Sequence, residues 1–296
     1  MAIIPTIQQS DASDAASSNV TVPVPISHWE ELWEHRYLLQ NMIMRDLKVR
    51  YKNSFLGILW TMLNPLLLML VFTLVFNQLG GDSTRHYPIF VLVGLMPWTF
   101  FNGSVVAGAN SILANSGLVK KVYFPREILP TASILSGFVN YVFTLIVLVL
   151  FLYGFGIGLT RHALWVPLIV IAQLLLMLGL VYFLSAAYVF YRDVGMILEV
   201  IMTALFFLTP IFYSLEMFGV TEVFGVTFDA ARVMRWVNPL ASIIDAYRTV
   251  LWGSMNSGPA SMGFDFLLRT YATVLLILGG GYAFFRRTEP LFGEKL

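Results

Sequence analysis

The feature that most constrains this chain is a series of apolar segments of a length suited to crossing a lipid bilayer. A helix needs about 20 apolar residues to span the hydrocarbon core. The sequence predicts six such spans, over residues 56–76, 88–109, 130–153, 164–190, 196–213 and 266–285. Only 12% of the 296 residues are charged, about half of the roughly 25% usual in soluble domains. The prediction is therefore an all-α integral membrane protein with six transmembrane helices.

The predicted transmembrane domain has a short polar segment at each end. Residues 1–27 are rich in Ser, Asp, Ala and Thr and lack the basic and apolar regions of a signal peptide. We predict a disordered cytoplasmic tail there, a transmembrane domain over residues 28–290, and a cytoplasmic C-terminus over residues 291–296. Lys and Arg are more frequent in the segments that share a side with the two ends. Both termini are therefore predicted to be cytoplasmic.

A basic segment precedes the first span. Residues 29–53 predict an amphipathic helix that lies in the membrane interface. On a helical projection, one side is apolar and the other carries three basic residues, Arg45, Lys48 and Lys52. Such a helix contacts anionic lipid headgroups. The alternative is that these charges only fix the orientation of the first span.

Two connections contain apolar residues as well as polar ones. Residues 111–123 predict a short amphipathic helix, ended by Pro125, that could dock a soluble partner. Residues 214–256 predict outer re-entrant helices before the last span. Within that region, residues 238–252 are half apolar and too short to cross the membrane.

Several kinds of chemistry have no counterpart in the sequence. There is no cysteine, no phosphate-binding G-x-x-x-x-G-K-[ST] loop, and no metal-ligand spacing among the four histidines. The predicted spans carry almost no ionisable residues except Glu199, which argues against ion-coupled transport. We predict no catalytic residue, no metal and no cofactor in this chain, so that energy comes from another subunit.

Six short patterns, taken together, resemble a known family. They are Arg45-Asp-Leu-Lys-Val-Arg-Tyr-Lys-Asn-Ser54 with the Asn-Pro65 that follows it, Phe90–Phe101, Asn115-Ser-Gly-Leu-Val-Lys-Lys-Val-Tyr-Phe-Pro125, Tyr191-Arg-Asp-Val194, Thr209-Pro-Ile211 and Asn238-Pro-Leu240. Over roughly residues 28–290, the chain resembles the membrane subunit of ABC-2 type polysaccharide exporters, the O-antigen, capsule and teichoic acid permeases. The tail before Trp29 carries none of these patterns.

The resemblance implies partners and a location. It implies a homodimer in the bacterial cytoplasmic membrane, contacting membrane lipids, with two copies of a separate ABC ATPase that uses ATP and Mg. The substrate would be a glycan on a polyprenyl-diphosphate lipid, most specifically O-antigen, and no nucleic acid is implied.

The resemblance also implies residue roles, which we combine with the residue chemistry. Coupling to the ATPase falls on Asn115, Ser116, Leu118, Lys120 and Lys121. The first and fifth spans would line the channel with the aromatic residues Trp60, Phe72, Phe76, Phe206, Phe207, Phe212 and Tyr213, which offer shallow stacking to sugars. The lipid diphosphate would bind to Arg45, Arg50 and Lys52.

Three other functions stay open from the sequence. The chain could export capsule, teichoic acid, a drug or another lipid with the same architecture. It could instead be a membrane-embedded polyprenyl-phosphate glycosyltransferase, although that needs clustered acidic residues and only Asp193 and Glu199 lie near each other. A membrane scaffold without transport activity is the third.

Overall fold

A computed structural model describes residues 34–55, 57–78, 86–215, 220–223, 226–253 and 257–296. The predicted disordered tail, residues 1–27, lies outside the described residues. The described part is mainly helical. Its α-helices are α1 (Arg36–Tyr51), α2 (Trp60–Gln78), α3 (Tyr87–Ala114), α4 (Ser116–Val119), α5 (Ile128–Gly154), α6 (Val166–Phe190), α7 (Val194–Leu208), α8 (Ala230–Val237), α9 (Pro239–Leu251), α10 (Phe264–Thr288) and α11 (Phe292–Lys295).

Four helical segments of the described chain are long and apolar enough to cross a membrane. They are Tyr87–Ala114, Ile128–Gly154, Arg161–Phe190 and Phe264–Lys295. The other two predicted spans correspond to shorter apolar helices, α2 with 19 residues and α7 with 15 residues. At about 1.5 Å per residue, α7 is shorter than the roughly 30 Å hydrocarbon core. By length and composition the described helices thus give four candidate spans, where the sequence predicts six.

The predicted fifth span ends earlier in the structure than in the sequence analysis. Helix α7 stops at Leu208, and Thr209 adopts extended backbone with φ −90° and ψ 137°. Thr209 precedes Pro210, and a residue before proline is disfavoured in the helical region. Phe212 and Tyr213, predicted inside the fifth span, therefore lie in the irregular segment that follows α7.

The predicted helix over residues 111–123 is divided in the structure. Helix α3 continues to Ala114, so it includes the first turn of that prediction. A single turn, α4, follows, and residues 120–127 then lead to α5. Helix α4 ends at Val119, before Pro125, which the sequence analysis expects to end it. We call residues 115–127 the coupling segment.

A short hairpin departs from the all-α prediction. Strands β1 (Val220–Val223) and β2 (Val226–Asp229) pair antiparallel, with Val220 opposite Asp229 and Val223 opposite Val226. Val and Thr dominate these strands, in agreement with their preference for extended backbone. The hairpin leads to α8, which Asp229 caps by accepting a hydrogen bond from the Arg232 amide. The predicted re-entrant region thus contains a hairpin as well as helices.

The main core is built around α3. This helix packs against α2, α5, α6, α7 and α9, and most of its residues are buried. Helices α6 and α10 meet at two glycines. A Cβ atom on Gly179 would lie 2.7 Å from the Leu278 Cα, and one on Gly281 would collide with the Gly179 carbonyl oxygen. These two helices are therefore in backbone contact.

A second, smaller core lies at one end of the bundle. There α1, the end of α3, the coupling segment and α10–α11 pack together through Met42, Ile112, Phe124, Phe285 and Phe292. The side chains of Phe285 and Phe292 are 0% exposed. We call this part the basic end, because the basic helix α1 lies along it.

Candidate functional site

Arg45 joins α1 to the coupling segment. Its guanidinium Nη1 donates a hydrogen bond to Asn115 Oδ1 over 2.8 Å, and Nη2 forms an ion pair with Asp46 Oδ1 over 2.9 Å. Asn115 Nδ2 in turn donates to the Ser111 carbonyl over 2.7 Å. The structure therefore brings together two residues, Arg45 and Asn115, for which the sequence analysis predicts separate roles.

The other two predicted lipid-binding cations have different surroundings. Tyr51 OH donates to Asn140 Oδ1 over 2.6 Å, which fixes the end of α1 against α5. Burial raises the pKa of the Tyr51 phenol, so the hydroxyl stays protonated and remains a donor. Arg50 lines a cavity beside Asn140, and Lys52 is exposed. Arg45 and Arg50 together line a cavity of about 560 Å³ beside Asn115, and Arg45 and Lys52 line another along α1.

The coupling segment is anchored by buried apolar residues and exposes its middle. Val119 and Phe124 are each 5% exposed and belong to the small core. Between them, Val122 is 51% exposed and Tyr123 is 92% exposed. Of the predicted coupling residues, Ser116 and Leu118 are half-buried and Lys120 and Lys121 are exposed. The sequence analysis missed Val122 and Tyr123, although they adjoin its predicted residues.

An ion network ties the end of α10 to the coupling segment. Arg286 Nη1 lies 2.9 Å from Glu289 Oε2 and 3.4 Å from Glu127 Oε1, and Glu127 is 1% exposed. Arg126 donates through its side chain to the Glu289 carbonyl. A cavity of about 540 Å³ lies between the two segments. The sequence analysis missed this network because its partners are far apart in the chain.

Six of the seven predicted channel aromatics form one connected group. The Phe72 and Phe212 rings are stacked with centroids 5.0 Å apart, and Phe206 lies 6.3 Å from Phe72 and 5.9 Å from Phe212. We call this group the aromatic seam, and its members are Phe72, Phe76, Phe206, Phe207, Phe212 and Tyr213. Trp60 lies apart from the seam and lines the same cavity as Arg50.

The seam continues into α3 and is open on one side. Tyr87 lies 5.4 Å from Phe76 and Trp98 lies 5.6 Å from Phe206, and the sequence analysis names neither of them. Phe207 is 60% exposed, whereas Trp98 is 5% exposed. The seam therefore packs α2, α3 and α7 together and leaves an aromatic surface uncovered.

The segment after α7 is held against α9 by Asn238. The Asn238 Nδ2 donates to Thr209 Oγ1 over 2.9 Å. Its Oδ1 accepts from the backbone amides of Leu240 and Ala241, which caps α9. The sequence patterns that begin at Thr209 and at Asn238 are thus in direct contact.

A buried arginine makes the second attachment of that segment. Arg248 is 4% exposed, and its side chain donates to the carbonyl oxygens of Ile211 and Tyr213, over 2.9 Å in the second case. Its guanidinium carbon lies 3.7 Å from the centroid of the Phe90 ring, a cation–π contact. Phe212 of the aromatic seam therefore lies between two residues, Ile211 and Tyr213, whose carbonyl oxygens accept hydrogen bonds from Arg248.

One carboxylate lies on an exposed face of α7. Glu199 borders a cavity of about 360 Å³ that Asn102, Thr203 and Phe206 also line. The same helix exposes Met196 and neighbouring apolar residues. A carboxylate is costly in lipid, so this face of α7 is suited to contact with water or protein.

The long apolar helices, the polar basic end and the aromatic seam define a multi-pass membrane protein. In the described ranges, no three His, Asp or Glu residues lie close enough together to hold a metal ion. The chain belongs to the ABC-2 type transporter family, whose sequence model matches residues 37–252.

Similar proteins include two O-antigen export permeases and a capsule polysaccharide export protein. The chain is 36% identical over 222 residues to the O-antigen export system permease protein RfbA of Myxococcus xanthus, which covers 75% of this chain and 83% of that protein. It is 29% identical over 260 residues to RfbA of Klebsiella pneumoniae, 88% of this chain and 95% of the other. The capsule polysaccharide export inner-membrane protein CtrC of Neisseria meningitidis serogroup B is 28% identical over 95 residues, 31% of this chain and 36% of that protein.

Proposed function

We propose that this chain is the membrane subunit of an ATP-driven exporter that moves polyprenyl-diphosphate-linked O-antigen across the bacterial cytoplasmic membrane. The similarity to an O-antigen export permease over three quarters of the chain carries this proposal. Capsule export is the second candidate, supported by the shorter match to a capsule export protein.

The energy source in this proposal is a separate ABC ATPase, present in two copies, which binds ATP and Mg. The chain has no phosphate-binding loop of its own. The coupling segment supplies the docking surface, because Val122 and Tyr123 are exposed while Val119 and Phe124 on either side of them are buried. Lys120 and Lys121 add positive charge beside them.

We further propose that two copies of the chain enclose the path. The exposed face of α7 that carries Glu199 would then contact water or the second copy instead of lipid. In this arrangement α2 and α7 also cross the membrane, which gives six spans, and α9 is re-entrant on the outer side. Both termini then lie in the cytoplasm, together with the basic end.

The aromatic seam is the proposed sliding surface for the glycan. Aromatic faces stack on the C–H faces of sugars without position-specific hydrogen bonds, so that a long chain can move along them. The exposed ring of Phe207 supports this role, and the clamp on Phe212 keeps the surface in place.

The test is a deletion of the gene, complemented with the wild-type chain. Loss of export predicts that lipid-linked glycan accumulates inside the cell while surface glycan disappears, and complementation should reverse both. A glycosyltransferase would give a different result, because the lipid-linked precursor itself would be missing. That result, or unchanged surface O-antigen and capsule, would contradict the proposal.

A further inference from the structure

A group of basic and aromatic side chains lies where α8 meets the start of α10. The guanidinium carbon of Arg269 lies 5.4 Å from the centroid of the Trp236 ring and 5.4 Å from that of the Phe266 ring. Arg235, which precedes Trp236, forms an ion pair through Nε with Asp245 Oδ2 over 3.1 Å. We call Arg235, Trp236, Phe266 and Arg269 the Trp236 cluster.

Arg269 differs from Arg235 in its partners. Asp245 pairs with Arg235, but no carboxylate of the described residues lies within ion-pair distance of Arg269. The Arg269 Nη2 donates to Ser242 Oγ over 3.4 Å, which is long for a hydrogen bond. Cation–π contacts with the two rings hold the guanidinium in place. Its planar fork of N–H groups is therefore positioned and still able to bind an anion.

The residues beside the cluster form an exposed apolar surface on both helices. On α8, Val233, Trp236 and Val237 are exposed and share one side of the helix. On α10, Leu268 and Leu275 are exposed and lie two turns apart on one face. Helix α10 belongs to a segment that is long and apolar enough to cross a membrane. Its exposed leucines are therefore suited to contact with acyl chains.

The cluster lies at the level of lipid headgroups. Arg286, at the other end of α10, belongs to the ion network of the basic end. Arg269 precedes it by about 17 positions, which is roughly 25 Å along a helix that rises about 1.5 Å per residue. That distance is close to the roughly 30 Å thickness of the hydrocarbon core. If Arg286 is at one membrane surface, Arg269 and Trp236 are near the opposite one, where indole rings are enriched.

We infer that the Trp236 cluster binds the headgroup of an anionic phospholipid in the leaflet opposite the basic end. Arg269 donates to the lipid phosphate, and Arg235 adds positive charge beside it. The acyl chains lie along the exposed leucines of α10. An anion at the cations and an apolar chain at the adjoining surface are both properties of a phospholipid, which favours this ligand over a glycan. The inference rests on the proposed function only in naming this leaflet the outer one.

The experiment places a fluorophore beside the cluster. The chain has no cysteine, so Leu268→Cys gives a single labelling site on the exposed face of α10. The labelled protein is reconstituted in phosphatidylcholine nanodiscs that contain increasing fractions of brominated phosphatidylglycerol or brominated phosphatidylcholine. Bromine on the acyl chain quenches a fluorophore that it contacts. We expect half-maximal quenching at an about five-fold lower fraction of the anionic lipid, as for one basic residue at an anionic membrane surface.

Substitutions at Arg269 separate charge from packing. Arg269→Gln should make the two brominated lipids equally effective, whereas Arg269→Lys keeps the charge and should stay within about two-fold of the wild-type preference. Arg161→Gln, at an exposed arginine in the connection between α5 and α6, should leave the preference unchanged. A label at Ile146→Cys, on an exposed part of α5, should show no preference in any variant.

Three results would overturn the inference. The first is equal quenching by both lipids in the wild-type background, and the second is an unchanged preference in Arg269→Gln. The third is a label at Leu268→Cys that neither lipid quenches, which would mean that a second copy or another protein covers this surface. Neither ATPase nor glycan is present in the nanodiscs, so an error in the proposed substrate or energy source would leave these results unaffected.

Discussion

At the scale of single residues, the basic helix contains two arginines in contrasting surroundings. The exposed side chain of Arg45 contacts Asp46 and Asn115, whereas Arg50 borders the cavity beside Asn140. Both arginines also line a cavity between α1 and the end of α3. Their similar positions in the sequence suggested one shared role. The contacts separate Arg45, which connects α1 to the coupling segment, from Arg50, which has no hydrogen bond to that segment among the described residues.

Arg45→Lys tests that separation. Lysine keeps the charge but cannot form the planar two-sided contact, so it should lose either Asp46 or Asn115. We expect export per copy of the chain to fall at least three-fold, because the contact between α1 and the coupling segment is weakened. Surface glycan at equal membrane levels is the measurement, and Lys48→Arg, at an exposed position, is the control. Equal export by Arg45→Lys and Lys48→Arg would contradict the assigned role.

Arg248→Met tests the clamp on the segment that follows α7. The substitution leaves two buried carbonyl oxygens without their donor, which costs roughly 1–3 kcal/mol each. Removal of a buried charge offsets part of this cost. We expect a net loss of about 1–3 kcal/mol in stability, seen as a lower thermal midpoint in detergent. Arg232→Met, at an exposed arginine of α8, should leave the midpoint unchanged.

At the scale of elements, the coupling segment is more than one amphipathic helix. Its single turn α4 is followed by an irregular loop whose ends are buried and whose middle is exposed. The ion network from Glu127 through Arg286 to Glu289 then fixes the start of α5 to the end of α10. A force on the coupling segment would therefore reach two long helices directly.

Tyr123→Ser tests the docking surface of this segment. Its ring is 92% exposed, so the change should not affect folding, but it removes the largest apolar contact available to a partner. We expect the ATPase to co-purify at least five-fold less, at a normal membrane level of the permease. Tyr153→Ser, at a 60% exposed tyrosine at the other end of α5, is the matched control. An equal effect of both changes would show that docking does not involve Tyr123.

The sequence predicts the helices better than their connections. The apolar runs identify each long helix because an isolated backbone in lipid must satisfy its own hydrogen bonds. The rings of the aromatic seam could also be predicted, because all of them lie in or just after two apolar runs. The bond from Arg45 to Asn115 could not, since it joins residues 70 positions apart. The hairpin was missed because its two short strands lie within a half-apolar connection.

At the scale of the whole molecule, the proposal assigns two regions of the chain to opposite sides of the membrane. One end carries the basic helix, the coupling segment and the C-terminal residues, and it holds the ion network. The hairpin lies in the connection between α7 and α8. In the proposed six-span arrangement, these two regions face opposite sides of the membrane.

Topology reporters test that arrangement. A reporter fused at Glu294 should show a cytoplasmic location, and one inserted at the exposed Thr227 of the hairpin should show an external location. Lys and Arg are more frequent on the predicted inner side, which favours this orientation. Since α10 is the one proposed span between the two sites, the same side for both reporters would mean that α10 does not cross or that α9 crosses as well, and the number of spans must change. Reporter activity is compared at equal protein levels.

The backbone contact between Gly179 and Gly281 has a consequence for the stoichiometry of transport. At this point no side chain separates the two backbones, so in the proposed exporter α6 and α10 would move together and little of each ATPase stroke would be lost as slip between them. Gly281→Ala would wedge these helices apart, whereas Gly280→Ala has open space around it. We expect Gly281→Ala to consume at least twice as many ATP molecules per exported glycan as Gly280→Ala, measured in proteoliposomes containing the ATPase. An equal ratio would mean that the coupling stroke does not pass through this helix pair.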